Sequence, residues 1–255
     1  MGDLMRPLPF GALMTWALDE YRTHGTVFGI GPEHIFRPEA GRTVRDPMGH
    51  ALATPIGPAA GPHTQLAPNI IAAYLAGARF IELKTVQVMD GEAIRTAVAK
   101  PCINAEDEGF NCEWSTELTV GQALDEYVRA HVAIRVLAVE LGIGDGDDVT
   151  HNASVGYDLE GISSPLIDGF LEGLRDASST TAYRDAVAWL EANLGRFERF
   201  GRDDLARVTP HVTDSVTLST LHGCPAGEIE RIATHLLGKG LHTFVKANPT
   251  MLGFD

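Results

Sequence analysis

With 255 residues, 44% hydrophobic and 21% charged, the chain has the composition of a folded domain of α/β size rather than of a disordered tail. Its 34 acidic residues against 20 basic ones, a formal net charge of −14, argue against nucleic acid and anionic membrane surfaces as partners, because like charges repel. Three cysteines without a Cys-x-x-Cys spacing argue against a disulfide framework and a thiolate metal site, so no metal is expected.

The N-terminal residues 1–6 lack the apolar core of a secretory signal, and no apolar run approaches the roughly 20 residues of a membrane span. A cytoplasmic protein without membrane insertion is expected. Residues 1–52 read as an N-terminal extension. Leu13, Trp16, Ala17 and Tyr21 recur at helical spacing and predict a helix over residues 10–21. A loop rich in Gly and Pro follows. Residues 43–44 and 51–53, around Asp46-Pro47-Met48-Gly49, predict a short β-hairpin.

From residue 53 to 255 the pattern alternates. Strands are predicted at 53–60, 79–86, 149–155, 215–221 and 243–246. Helices are predicted at 69–78, 120–141, 166–176, 183–197 and 226–237. The stretch 90–115 has no sustained period and reads as a long functional loop or insertion. Strands separated by helices require parallel pairing through crossovers, in a barrel or in an open sheet. The acidic turn Gly144-Asp145-Gly146-Asp147-Asp148 lacks the spaced ligands of a calcium loop and reads as a solvated turn. The apolar strand residues Ile56, Ile81, Leu83, Val155, Leu218 and Val245 are expected to form the inner face.

Small and polar residues gather at the C-terminal ends of the strands, where parallel α/β proteins place their sites. Ala59-Ala60-Gly61 lets a flat ring lie on the backbone, or makes a tight strand-to-helix turn. Lys84 in an apolar strand needs an anionic ligand, an electron-rich ring or a nearby carboxylate, since lysine is rarely buried alone. Asn152 offers both a donor and an acceptor to a heterocycle edge. Ser219, Thr220 and Cys224 precede a helix whose dipole favours a thiolate, although Cys224 also reads as space-filling. Lys246 is a second strand-end lysine, and two lysines converging on one mouth form the main physical indication of a site.

In order and spacing these stretches resemble the dihydroorotate and dihydropyrimidine dehydrogenases. The motifs Ala60-Gly61-Pro62-His63-Thr64-Gln65-Leu66-Ala67, Glu82-Leu83-Lys84-Thr85-Val86-Gln87, Glu113-Trp114-Ser115-Thr116-Glu117, Ser154-Val155-Gly156-Tyr157 and His222-Gly223-Cys224-Pro225 resemble more closely the N-terminal region of selenate reductase subunits of YgfK type. The resemblance runs from Met5 through nearly the whole chain. It implies a TIM (β/α)8-type barrel, incomplete here, holding about the first five strands after the N-terminal extension. It also implies FMN as cofactor.

By that resemblance Ala59, Ala60 and Gly61 face the flavin ring. Lys84 and Lys246 approach its pyrimidine end, and Thr85 and Asn152 also bind flavin. Asn111 and Asn248 bind substrate. Cys224 is the proton-transfer group, with Ser219 and Thr220 as alternatives, because the family's Asn-Leu-Ser-Cys falls on Thr217-Leu218-Ser219-Thr220 when aligned without gaps. The implied activity is flavin-dependent oxidoreduction of a small heterocyclic substrate. The implied partners are iron–sulfur and FAD/NAD(P)H electron-transfer modules absent from this chain, so the chain alone is expected to be an inactive fragment. The alternative is a non-catalytic barrel that serves as a scaffold or docking module of an electron-transfer assembly.

Overall fold

The computed structural model describes residues 5–39, 41–89, 118–219 and 225–246, together with the backbone of 103–104 and 110–111. The elements, in chain order, are α1 (Phe10–His24), β1 (Val44–Arg45), β2 (Ala51–Leu52), α2 (Ala67–Leu75), β3 (Phe80–Glu82), β4 (Ile103–Asn104), β5 (Phe110–Asn111), α3 (Val120–Glu140), β6 (Thr150–Val155), α4 (Leu159–Ile162), α5 (Pro165–Arg175), α6 (Thr181–Asn193), α7 (Arg202–Leu205), β7 (Ser215–Ser219), α8 (Ala226–Gly238) and β8 (His242–Lys246). Strands β3, β6, β7 and β8 form a four-stranded sheet in that order, every pair parallel, and β1 and β2 form the expected antiparallel hairpin. Within the stretch expected to be a loop, β4 and β5 also pair antiparallel.

The helices start where side chains replace the missing intrahelical partners. Thr119 and Gln122 form a reciprocal capping box on α3, while Ser164 caps α5 and Thr180 caps α6. Two buried carboxylates extend this principle across the tertiary structure. Glu126 accepts the Ala67 N–H at the start of α2 at 2.8 Å, where the cap residue Leu66 has no side-chain acceptor. Glu140 accepts three successive N–H groups, those of Glu198, Arg199 and Phe200, at 2.9–3.1 Å.

One predicted strand is not a regular one. Residues 54–60 run beside β3 with the Ile56 and Pro58 carbonyls accepting from Arg79, Phe80 and Glu82. Pro55 and Pro58 have no N–H to return, so the pairing is one-sided. Gly57 makes the close approach possible, because a Cβ there would sit 1.7 Å from the Phe80 carbonyl oxygen. With this segment the arc has five staves, and it stays open among the described residues.

The registers sort the strand residues into two faces. Ile81, Ala153, Val155, Val216 and Leu218 share one face and are buried with the helices in one hydrophobic core. Phe80, Glu82, Asn152, Ser154, Thr217, Ser219, Phe244 and Lys246 share the other. The expected inner-face set is therefore corrected. Ile81, Leu83, Val155 and Leu218 lie in the helix-covered core, whereas Ile56 and Val245 are exposed. The sheet turns its apolar residues outward to the helices because these carry the larger apolar surface. The inner face is correspondingly polar.

The hairpin closes the N-terminal end of this inner face. Asp46 ties it to β6 by accepting from Thr150 Oγ1 at 2.8 Å, and it also contacts His50 Nδ1 at 3.1 Å. Burial opposes ionisation of Asp46, but these hydrogen bonds and the neighbouring His50 outweigh it and hold the carboxyl below its ordinary range. At the same end Arg79 is fully buried, donating to Asp148 at 2.6 Å with its guanidinium 3.9 Å from the Tyr74 ring centroid. None of the helices among the described residues is long and apolar enough to cross a membrane.

Candidate functional site

The inner face borders a cleft of about 610 Å³. Leu52, Phe80, Phe244 and the hairpin supply its apolar wall, while Glu82, Asn152, Thr217 and Lys246 supply the polar groups. Phe80 and Phe244 meet edge to face at 6.2 Å, and above them Lys246 Nζ lies 3.4 Å from Glu82 Oε2. The sheet's two outermost strands thus touch across the interior, as curvature into a barrel requires. The same Glu82 oxygen accepts the Ala60 N–H at 2.8 Å.

Asn152 is fully buried in β6 and donates from Nδ2 to Thr217 Oγ1 at 2.6 Å, while its Oδ1 has no hydrogen-bond partner among the described residues. Turning the amide over would leave the NH2 group unpaired instead, so either orientation leaves one polar end unsatisfied. An unpaired buried amide end costs about 1–3 kcal/mol, and a cleft-lining group that bears this cost is suited to a ligand.

The predicted residues distribute as follows. Ala59, Asn152 and Lys246 line the cleft, and Ala60 is held to it through Glu82. Gly61 follows in extended conformation, with its N–H directed at Thr64 Oγ1 and the exposed His63 ring close to where a Cβ would stand. Ser219 pairs in register with Lys246 at the C-terminal end of β7.

Lys84 and Thr85 lie beyond a bulge. Leu83 N donates to Asn152 O, but the next ladder bond runs from Val86 N to Ser154 O, three residues against two. The extra residue brings Thr85 Oγ1 within 2.8 Å of Ser154 Oγ. Lys84 is buried, its N–H donates to the Thr64 carbonyl, its own carbonyl accepts from Tyr127, and it does not line the cleft. Convergence of the two lysines on one cleft therefore reduces to Lys246 alone among the described lining residues. Asn111 is described only as backbone in β5. Thr220, Cys224 and Asn248 lie outside the described residues.

Glu82 and Thr217 are site residues that the sequence left without a role. A carboxylate inside an apolar strand was the available signal for Glu82, since an acid there needs a partner as much as a lysine does. Among the described residues no cluster of His, Cys, Asp and Glu is arranged to hold a metal ion.

Residues 28–255 match the family model described as oxidoreductase YgfK, N-terminal TIM-barrel domain. Two curated relatives, the YgfK proteins of Escherichia coli strain K12 and strain O157:H7, each by name an oxidoreductase, are 47% identical over 267 aligned positions. The alignments cover 100% of this chain and 25% of each relative, so the chain spans about a quarter of the relatives' length. The chain belongs to that family as a TIM-barrel domain of the YgfK oxidoreductase type.

Proposed function

We propose that this domain binds FMN against residues 59–61 and β8, and that it works in the oxidation or reduction of a small heterocyclic substrate. The carrying observation is Asn152 Oδ1, a buried acceptor without a partner, in a cleft that also holds Lys246. The flavin's pyrimidine edge has an imide N–H and two carbonyls, which this amide and a cation complement. The backbone at Ala59-Ala60-Gly61 suits a flat ring face, because small residues let the main chain approach closely.

The group supplies hydride acceptance and donation when bound. The chain's residues would do the rest. Asn152 would orient the imide edge, with Thr217 holding its amide in plane. Lys246 would set the electrostatic environment at the pyrimidine end. Cys224, or else Ser219 or Thr220, would exchange a proton with substrate. Iron–sulfur and FAD/NAD(P)H modules as electron partners, and a cytoplasmic location, belong to the same proposal. The test is to purify the natural polypeptide that carries this domain, release its flavins with acid and identify them, in the wild type and in Asn152→Leu. One equivalent of FMN that Asn152→Leu loses supports the reading. Its absence from the wild type, or full retention by the variant, rejects it.

A further inference from the structure

One oxygen of Glu82 serves two remote parts of the arc at once. Its Oε2 accepts the Ala60 N–H at 2.8 Å and lies 3.4 Å from Lys246 Nζ. Ala60 belongs to the first stave and Lys246 to the last, with β3, β6 and β7 between them. The Glu82 side chain is 12% exposed and that of Lys246 is 40% exposed, so the contact is sheltered at the acid end and open at the cation end. Below it the Phe80–Phe244 contact fixes the separation of the two strands.

We infer that Glu82 is the positioning residue of the site. It fixes the Ala60 backbone relative to the Lys246 ammonium, and it compensates the Lys246 charge while no anionic group lies against it. The inference rests on the FMN reading for its meaning, but the clasp itself does not. Without Glu82, Lys246 would lose this compensating negative charge and the cleft would become more positive. With Glu82, the ring meets a neutral pair whose cation is available once the ring becomes negative. Glu82 is thus the residue that sets how strongly this domain favours reduced flavin.

Two measurements on the natural polypeptide carrying the domain decide it. The first needs no flavin, and reads amide hydrogen exchange at Ala60 in wild type, Glu82→Gln and Glu82→Met. Glu82→Gln keeps a carbonyl acceptor and should stay near wild type. Glu82→Met should exchange faster by roughly tenfold, the effect of losing one hydrogen bond of ordinary net strength. Unchanged exchange in Glu82→Met overturns the inference. The second reads the reduction potential of bound FMN. Glu82→Gln should raise it, because one negative charge beside Lys246 is removed. Lys246→Met should lower it, and the double variant should return towards wild type. A potential unmoved or lowered by Glu82→Gln, with FMN still bound, overturns the inference. If the wild-type polypeptide holds no FMN, the functional reading falls, and the exchange measurement alone decides whether Glu82 forms the clasp.

Discussion

Lys246 Nζ lies 3.4 Å from Glu82 Oε2 although β8 and β3, which carry them, are the two ends of the four-stranded sheet. Only a strongly curved sheet brings its outermost strands into contact, so this pair is a direct mark of barrel geometry in an arc that remains open among the described residues. The same curvature places Asn152 and Thr217 between them, facing the same space.

Asn152 and Thr217 should show opposite effects on stability and on binding. The buried amide carries an unpaired end, and replacing both partners by apolar residues of similar size removes that cost. Asn152→Leu combined with Thr217→Val is expected to leave the urea midpoint unchanged or raised, while FMN affinity falls by at least about tenfold, one hydrogen bond's worth. Equilibrium unfolding and flavin titration on the same preparation check this. A less stable double variant would show that the pair serves the fold.

Acid should destabilise the domain through two buried histidines on the helix-covered face. His151 is pushed down to about 3 by burial and by the charge of Arg135, and His131 is held well below its ordinary value by burial, Arg135 and His151. Their rings meet at 5.6 Å. Depressed in the fold, both bind protons more readily when unfolded. Stability is therefore fully present above about pH 6.5 and lost as pH falls below it, by up to about 1.4 kcal/mol per pH unit for each histidine. Urea unfolding between pH 7.5 and pH 5 measures the slope, and His151→Phe should reduce it.

Glu140 should be a costly residue to remove although it does not line the cleft. Three backbone N–H groups of residues 198–200 depend on its carboxylate. Glu140→Ala is expected to destabilise by about 3 kcal/mol, and Glu140→Gln by less, since the amide keeps one acceptor oxygen. Denaturant midpoints of the two variants provide the comparison.

Two glycines should respond in opposite directions. Gly57→Ala places a methyl 1.7 Å from the Phe80 carbonyl oxygen and should cost at least about 3 kcal/mol or prevent folding. Gly121 lies in the first turn of α3 with nothing within 4 Å of an added Cβ. Gly121→Ala should stabilise by about 0.5–1 kcal/mol, the helix-propensity difference. Thermal melts of both variants give the test.

Cys224 should matter to turnover rather than to flavin content. With Cys224 as proton-transfer group, Cys224→Ser is expected to slow substrate-linked flavin reduction by roughly 10²–10⁴-fold while FMN stays bound. Stopped-flow reduction of the natural polypeptide measures it. An unchanged rate would move the role to Ser219 or Thr220.

The order of elements was legible in the sequence because it depends on local periodicity. The helix Val120–Glu140 and the strands Thr150–Val155 and His242–Lys246 come within a residue of their predicted bounds. The motifs also pointed to the right family, since 47% identity preserves many ordered short matches. Local pattern could not reveal which face of each strand turns inward. That depends on register, and register is settled only when α2, α3 and α5 compete to cover the larger apolar surface. Ile81 and Leu218 consequently went to the core, while Glu82 and Thr217, given no role by the sequence, came to line the cleft. A single extra residue between Leu83 and Val86 then changed the course of the chain at Lys84 and Thr85, because a bulge breaks the alternation on which strand reading rests. Contact between Glu82 and Lys246 depends on curvature summed over four strands. Residues 164 positions apart carry no local trace of such a contact, and only the tertiary structure decided it.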